Sequence, residues 1–390
     1  MKVLIFTILF PNSQQPTFAA FIAERLVSLS KLCQVRVVAP VAYFPPLKFF
    51  KRWYVFSQIR EEEEYLGTKI YHPRYFTIPK IGLVFCGLFM FLSLFRKIIG
   101  IKKEFNFDLI DSHFVYPEGF VAVLIGKILH KPVTVTAHGS DINRYTKLPL
   151  IKKKIVWTLK NADKIIAVCQ ALKDKMVELG IASEKIKVIS NGVDLEKFRL
   201  IDKCLVRRDL NLPENKKIVL SVGHLIECKG FHYLIDAVNR VRKVEKDIFL
   251  VIVGEGEYRG RLEKKIQQLD MMSYVKLIGA KPHIELFQWY SGADLFCLAS
   301  SREGWATVFF ESFACGLPVV ATNVGGASEA ICSQEYGFLV NSQDAGQLSE
   351  AIIKALSKEW DREKLIEYAK RNTWDKVVER SYAIFKSVVD

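Results

Sequence analysis

The 390-residue sequence predicts an α/β protein made of two doubly wound, parallel-sheet domains. Three observations lead there. Short apolar runs alternate with helix-like segments along most of the chain, the pattern of parallel strands covered on both faces. The alternation pauses at a turn signal, Ser190-Asn191-Gly192-Val193-Asp194, and resumes after a polar stretch that ends at Lys217. The length also exceeds what one hydrophobic core commonly fills.

In the first series the predicted strands are Val3–Thr7, Val35–Ala39, Leu109–Ser112, Val133–Ala137, Lys164–Val168 and Lys187–Ile189. Between several of them lie helical patterns at Ala19–Leu32, Glu118–Leu129, Leu150–Lys160 and Gln170–Leu179. In the second series strands are expected at Ile218–Val222, Phe249–Val253, Val275–Ile278, Leu295–Leu298, Val319–Ala321 and Phe338–Val340. Helices at Tyr233–Lys243, Arg261–Gln268 and Gln347–Leu356 separate some of these. The expected domains are residues 1–192, with 374–390 packing back on them, and residues 193–373. Ligands of open parallel sheets bind beyond the carboxyl ends of the strands, so active loops are expected in a cleft between the domains.

Residues 41–80 break the alternation. They hold Pro45-Pro46, the aromatic-basic run Lys48-Phe49-Phe50-Lys51-Arg52-Trp53-Tyr54, and four consecutive acids, Glu61 to Glu64. Ile81 to Phe95 follows without a charge, between Lys80 and Arg96-Lys97. That run falls short of the roughly twenty residues of a spanning helix, so a buried or membrane-surface helix is expected. At the N-terminus, one lysine precedes Val3 to Phe10 and Pro11 ends the run, which reads as a buried strand rather than a secretory leader. The expected location is therefore cytoplasmic.

Charge is unevenly placed. Residues 1–190 hold 28 Lys and Arg against 14 Asp and Glu, whereas residues 191–390 hold 28 of each. The whole excess of +14 thus sits in the first half, which suits an anionic partner such as a membrane surface, a lipid phosphate or nucleic acid. The eight cysteines never form Cys-x-x-Cys and mostly sit in apolar runs, as buried thiols of a reducing compartment would.

Chemistry-bearing residues gather where strands end. In the second half these turns are Gly223-His224-Leu225-Ile226-Glu227-Cys228-Lys229-Gly230, Gly254-Glu255-Gly256-Glu257, the turn at Gly279, and Ser300-Ser301-Arg302-Glu303-Gly304. Together they bring one cation, Lys229, two carboxylates, Glu303 and Glu311, and several free N–H groups to one sheet edge, which fits a nucleotide diphosphate. Gly254-x-Gly256 lacks the third glycine of a dinucleotide fingerprint, so NAD binding is not expected. Glu303 and Glu311 would stand ~12 Å apart along a continuous helix, too far for a glycosidase pair, and are read as acting separately. In the first half Asp111-Ser112-His113 and His138-Gly139-Ser140-Asp141 end neighbouring strands, so His113, His138 and Asp141 are candidates to face a ligand. No Asp-x-Asp, Walker loop or Gly-x-Ser-x-Gly occurs, and neither a metal nor another cofactor is expected.

The block Glu303-Gly304 … Glu311-Ser312-Phe313-Ala314-Cys315-Gly316-Leu317-Pro318-Val319-Val320-Ala321-Thr322 … Gly325-Gly326 resembles the E-x7-E signature of the family 4 retaining glycosyltransferases, whose GT-B fold has two Rossmann-like domains. Gly223 … Lys229-Gly230, Gly254-Glu255-Gly256, Asn191-Gly192-Val193-Asp194 and His138-Gly139-Ser140-Asp141 extend the likeness over nearly the whole chain. Leu9-Phe10-Pro11-Asn12 … Gln15-Pro16-Thr17 is similar to the teichuronic-acid type that builds cell-wall and surface polysaccharides. The resemblance implies metal-independent transfer of a sugar, with retention, from a nucleotide diphosphate sugar to an acceptor hydroxyl. By position, Glu303 would face the donor sugar, Thr307 and Val308 would hold the diphosphate, and Glu311 would bind ribose. Lys229 would neutralise the departing diphosphate, His113 would lie by the sugar, and His138 would line the cleft. It also makes Trp374 to Val389 the terminal helix that crosses back to the first domain.

Two positions depart from the family pattern. His224 stands where arginine is usual, which leaves Lys229 and Arg302 to supply positive charge. Ala19-Ala20 replaces the glycine of the first βα loop, so ligand contact is not expected to follow the family there. The acceptor expected beside the basic half is lipid-linked, at the inner face of a membrane. Two rivals stay open: another GT-B activity, such as nucleotide-sugar epimerisation, and a non-enzymatic polyanion-binding protein. No nucleic-acid-binding motif accompanies the charge, so no nucleic-acid partner is expected.

Overall fold

A computed structural model of the chain describes residues 1–16, 18–43, 51–77 and 82–389. The chain divides into two compact units, Met1–Asn191 with Trp374–Asp390, and Gly192–Thr373. Gly192 thus belongs to the second unit rather than the first.

The strands of the first unit are β1 (Lys2–Phe6), β2 (Gln34–Val38), β3 (Val41–Tyr43), β4 (Glu62–Tyr65), β5 (Thr68–Tyr71), β6 (Arg74–Phe76), β7 (Leu109–His113), β8 (Val133–Ala137), β9 (Lys164–Ala167) and β10 (Ile186–Val188). Eight of them form one sheet in the order β10-β9-β8-β7-β1-β2-β5-β4. All its neighbours are parallel except β4, which pairs antiparallel with β5 at the edge. β1 is central, with Val3 to Phe6 at most 1 % exposed, so the apolar N-terminal run is core. Strand order reverses between β1 and β7, which sets a topological switch point there.

The second unit adds β11 (Lys217–Val222), β12 (Ile248–Val253), β13 (Val275–Gly279), β14 (Leu295–Leu298), β15 (Val319–Thr322) and β16 (Gly337–Val340). They form a wholly parallel sheet in the order β13-β12-β11-β14-β15-β16. This is the order of a dinucleotide-binding sheet, with its switch point between β11 and β14. Both faces are covered. One core layer holds Phe296, Phe309 and Phe313, and the other holds Phe231, Leu234 and Ile352.

The segment that broke the alternation carries more order than its composition suggested. β4 and β5 are joined as a hairpin through Leu66-Gly67, and β3 pairs with β6 as a separate parallel ribbon. Pro45-Pro46, Lys48 to Phe50, Lys80, Ile81 and Thr17 lie outside the described residues. The apolar helix is longer than expected: it runs Leu83–Phe105, 23 residues, and is long and apolar enough to cross a membrane by length and composition alone. Cys86, Met90, Leu94, Ile98, Ile101 and Phe105 are buried on one stripe and dock it on the unit. On other faces Phe85 is 53 %, Leu88 45 % and Leu92 64 % exposed.

The terminal helix Trp374–Val389 packs on the helix Ala20–Ser30 of the first unit. Val378 and Phe385 enter the core beside Leu26 and Leu29. Trp374 Nε1 donates to Glu24 Oε2 at 2.8 Å, and Arg25 Nη2 donates to Ser381 Oγ at 3.1 Å. All eight cysteines are free thiols, but Cys204 and Cys332 are exposed rather than buried.

Candidate active site

In the second unit the two strands that flank the switch point deliver the two most suggestive turns side by side. After β11 the chain makes a short 3-10 turn, Glu227–Lys229, closed by Gly230 at φ +67. A Cβ at Gly230 would stand 1.8 Å from the carbonyl oxygen of Ala299, so only glycine lets this turn lie against the end of β14. Ser301 N donates to Cys228 O at 2.8 Å across the same contact. The result is a close pair: Lys229 Nζ lies 2.7 Å from Glu303 Oε1, and Ser300 Oγ donates to that oxygen at 2.6 Å. Both side chains are only partly exposed, 24 % and 11 %. The loop after β15 closes on this turn, with Gly326 N donating to Gly304 O at 2.9 Å. Gly325, at φ +58, sits too close to Glu303 O to carry a Cβ.

Four residues beyond Glu303 the helix Thr307–Ala314 begins, preceded by Ala306, whose side chain offers no cap to the first N–H groups. Uncapped N–H groups at a helix start are anion donors, and their partial positive charge adds to that of Lys229. Glu311 lies on the same helix, 5 % exposed. Its Oε2 accepts from Tyr290 OH at 2.9 Å, and its Oε1 lies 3.1 Å from His283 Nε2. Burial first, then the charge of Glu311, holds the Tyr290 phenol well above its ordinary value, so it stays a donor. Glu303 and Glu311 are therefore not exposed helix acids, and the first is not helical at all. His224 and Arg302 are exposed. Gly254, Gly256 and Gly279 close the neighbouring strand ends: a Cβ at Gly254 would meet Gly223 O at 1.9 Å, and Gly254 N donates to Gly279 O at 2.9 Å.

In the first unit, the candidates at the ends of β7 and β8 meet as a buried network. Asp111, His113 and Thr134 are fully buried. Asp111 Oδ1 accepts from Thr134 Oγ1 at 2.7 Å, and Oδ2 lies 3.2 Å from His113 Nε2. His113 Nδ1 lies 3.1 Å from His138 Nε2, with ring centroids 5.3 Å apart and ring planes 25° from parallel. Arg25 Nη2 approaches Asp111 Oδ2 at 3.9 Å. Beside the switch point, the turn Val115–Gly119 places Glu118, fully buried, with Oε1 accepting from Ile8 N at 3.2 Å.

Comparison with known proteins completes the picture. Residues 21–197 match the model described as Glycosyltransferase Family 4, and residues 202–372 match Glycosyl transferases group 1. The chain belongs to the family 4 glycosyltransferases. Among relatives of this glycosyltransferase, the Bacillus subtilis protein named as a teichuronic acid biosynthesis glycosyltransferase, TuaC, is 27% identical over 91% of this chain and 89% of its own. The amylovoran biosynthesis glycosyltransferase AmsK of Erwinia amylovora is 30% identical over 67% of this chain and 64% of its own. Among solved structures, Anabaena HepE in complex with UDP superposes with a TM-score of 0.76 at 21% identity, covering 99% of this chain and 100% of that one. Sucrose-phosphate synthase from Thermosynechococcus elongatus gives 0.79 at 20% identity, covering 99% and 98%. These likenesses establish the GT-B fold.

Within the glycosyltransferase, Lys229 and Glu303 are in contact, and Thr307 and Val308 open the helix that carries Glu311 one turn further along. Asp141 follows the end of β8. It is fully buried, and its carboxylate already accepts from Gly139 N at 2.8 Å, Val115 N and Ile142 N at 3.1 Å, and His138 N at 3.3 Å. It builds the turn after β8. His113 is also fully buried, with both ring nitrogens engaged. Sequence reasoning missed Ser300, Tyr290, His283 and Glu118. Asp111 was quoted only as a neighbour, yet strand alternation puts it on the face of His113 two residues on.

Proposed function

We propose that this glycosyltransferase moves a sugar from a nucleotide diphosphate sugar to a hydroxyl of a lipid-linked glycan, with retention and without a metal, in assembly of a cell-surface polysaccharide. The observation that carries this reading is the Lys229–Glu303 contact beside the uncapped start of the helix at Thr307. Lys229 is the cation that neutralises the diphosphate as it leaves, and the N–H groups of Thr307 and Val308 hold its oxygens. Glu303 faces the donor sugar, and Glu311, oriented by Tyr290, addresses the ribose. Arg302, exposed in the turn that holds Glu303, supplies the further positive charge that an arginine at 224 would give. Retention follows if the acceptor attacks from the face the diphosphate leaves, with a leaving-group oxygen taking the acceptor's proton.

HepE in complex with UDP-glucose, and the polysaccharide-directed names of TuaC and AmsK, support the donor and acceptor classes. The acceptor side is the first unit, whose excess basic charge and exposed Phe85, Leu88 and Leu92 suit the anionic inner face of a membrane. The protein then works as a peripheral enzyme on the cytoplasmic side. Transfer assays on Glu303→Gln and Lys229→Ala test the site: each folds and loses transfer, and wild-type turnover in either variant refutes the assignment.

A further inference from the structure

Glu311 is held at both of its oxygens, and the two holders come from one stretch of chain. After β13 the loop Ala280-Lys281-Pro282 leads into the 3-10 turn His283–Glu285, which runs straight into the helix Leu286–Gly292. His283 at the head of the turn and Tyr290 in the helix reach the same carboxylate: His283 Nε2 lies 3.1 Å from Oε1, and Tyr290 OH donates to Oε2 at 2.9 Å. Phe198, 1 % exposed, braces both rings edge-on, at 5.0 Å from His283 and 5.9 Å from Tyr290. A carboxylate only accepts, so the His283 nitrogen that faces Oε1 carries a proton whether the ring is neutral or charged. Tyr290 is fully buried and the Glu311 side chain is 6 % exposed, whereas the His283 side chain keeps 25 %. The solvent-facing member of the trio is therefore His283.

The last torsion of a glutamate is broad, so a single hydrogen bond leaves the carboxylate plane free to swing. A second bond, to the other oxygen, fixes it. Of the roughly four lone-pair sites of a carboxylate, the phenol and the imidazole take one on each oxygen and leave one on each. Two acceptors side by side in a fixed plane match the two hydroxyls of a vicinal diol. We propose that His283 is a positioning residue for the nucleotide: with Tyr290 it locks the plane of Glu311, so that the carboxylate takes both ribose hydroxyls at once and the site rejects a 2′-deoxyribonucleotide. The proposal rests on the nucleotide-sugar reading, which gives Glu311 the ribose, and adds to it the second clamp and the selectivity that the clamp confers. A site built to bond a hydroxyl discriminates against the analogue that lacks it, because its own polar group is then left unpaired. That discrimination is as sharp as the supporting contacts are firm.

Isothermal titration with UDP, ADP, GDP and CDP finds the diphosphate that binds tightest, and titration with its 2′-deoxy counterpart gives the selectivity. The wild type should favour the ribose form by at least ~10-fold. His283→Phe keeps a ring against Phe198 but has no donor, and His283→Ala removes the ring as well. In either variant, affinity for the ribonucleoside diphosphate should fall at least ~5-fold and the 2′-deoxy form should be affected less, so the preference shrinks. His283→Gln, whose amide can donate to Oε1, should restore both affinity and preference, a rescue that a role in folding alone would not produce. A wild type that binds the two forms equally overturns the proposal even if no variant folds. So do donor-free variants that keep wild-type affinity and preference, and a His283→Gln protein that behaves like His283→Ala. In each of these cases a diphosphate still binds and the nucleotide-sugar reading stands. A wild type that binds none of the four diphosphates counts against that reading itself, and the proposal falls with it.

Discussion

Lys229 and Glu303, 74 residues apart in sequence, meet at 2.7 Å because β11 and β14 are neighbours at the switch point of the second sheet. Each carries a charge that the other partly offsets, and Lys229, 24 % exposed, keeps contact with solvent when that charge is removed. Glu303→Gln retains the shape and the Ser300 contact but removes the negative charge. Transfer should fall ~10²-fold or more, while the melting temperature stays near that of the wild type. Single-turnover assays beside thermal melts check both halves.

Tyr290 and Glu311 give a second test, of stability rather than chemistry. The phenol is fully buried and its hydroxyl satisfies Glu311 Oε2. Tyr290→Phe removes the donor and leaves a buried carboxylate oxygen without it, which should cost ~1–3 kcal/mol in urea unfolding. A change below the error of that measurement would mean Glu311 is satisfied in another way.

Glu118 predicts a pH dependence. Burial above all, aided by the nearby Asp141 charge and opposed by the backbone N–H of Ile8, pushes its carboxyl from 4.5 up to about 8. The folded chain therefore keeps this proton where the unfolded chain has lost it. Its contribution to stability is whole below pH 4.5 and drains away as pH rises through about 8. Glu118→Gln cannot ionise, so the wild type should weaken relative to this variant across that window. Parallel curves of unfolding free energy against pH would contradict it.

The terminal helix should be a structural part of the first unit. Phe385 is fully buried beside Leu29 and Val378. Phe385→Ala should destabilise by ~3–5 kcal/mol, seen as a lower melting temperature.

The exposed side of the helix Leu83–Phe105 should serve membrane contact and not stability. Leu92 is 64 % exposed, so Leu92→Glu should change stability by less than ~0.5 kcal/mol while weakening sedimentation with anionic vesicles. Equal vesicle binding by both proteins would remove the membrane role from this face.

Much of the architecture was legible because the core strands are short unbroken apolar runs. β8 and β14 fall at the residues that pattern predicts, and the others within one or two. The stretch 41–80 was not, because β4 is made of Glu62-Glu63-Glu64-Tyr65 at an open sheet edge, where composition follows solvent and not core. At the site, Glu303 and Glu311 stood out through their spacing and the turn between β14 and the helix. Their partners did not. Ser300, Tyr290 and His283 are ordinary residues until the fold brings them within hydrogen-bond reach. The surroundings of Asp141 were equally hidden: four backbone N–H groups claim its carboxylate.

Thermal melting against a panel of nucleotide diphosphate sugars tests the central claim most directly. A donor at ~100 times its dissociation constant adds ~2.7 kcal/mol to the folded state. The account predicts that at least one such sugar raises the melting temperature by an amount that grows with its concentration, and that Lys229→Ala loses the rise. A wild-type protein whose melting no nucleotide sugar shifts would contradict it.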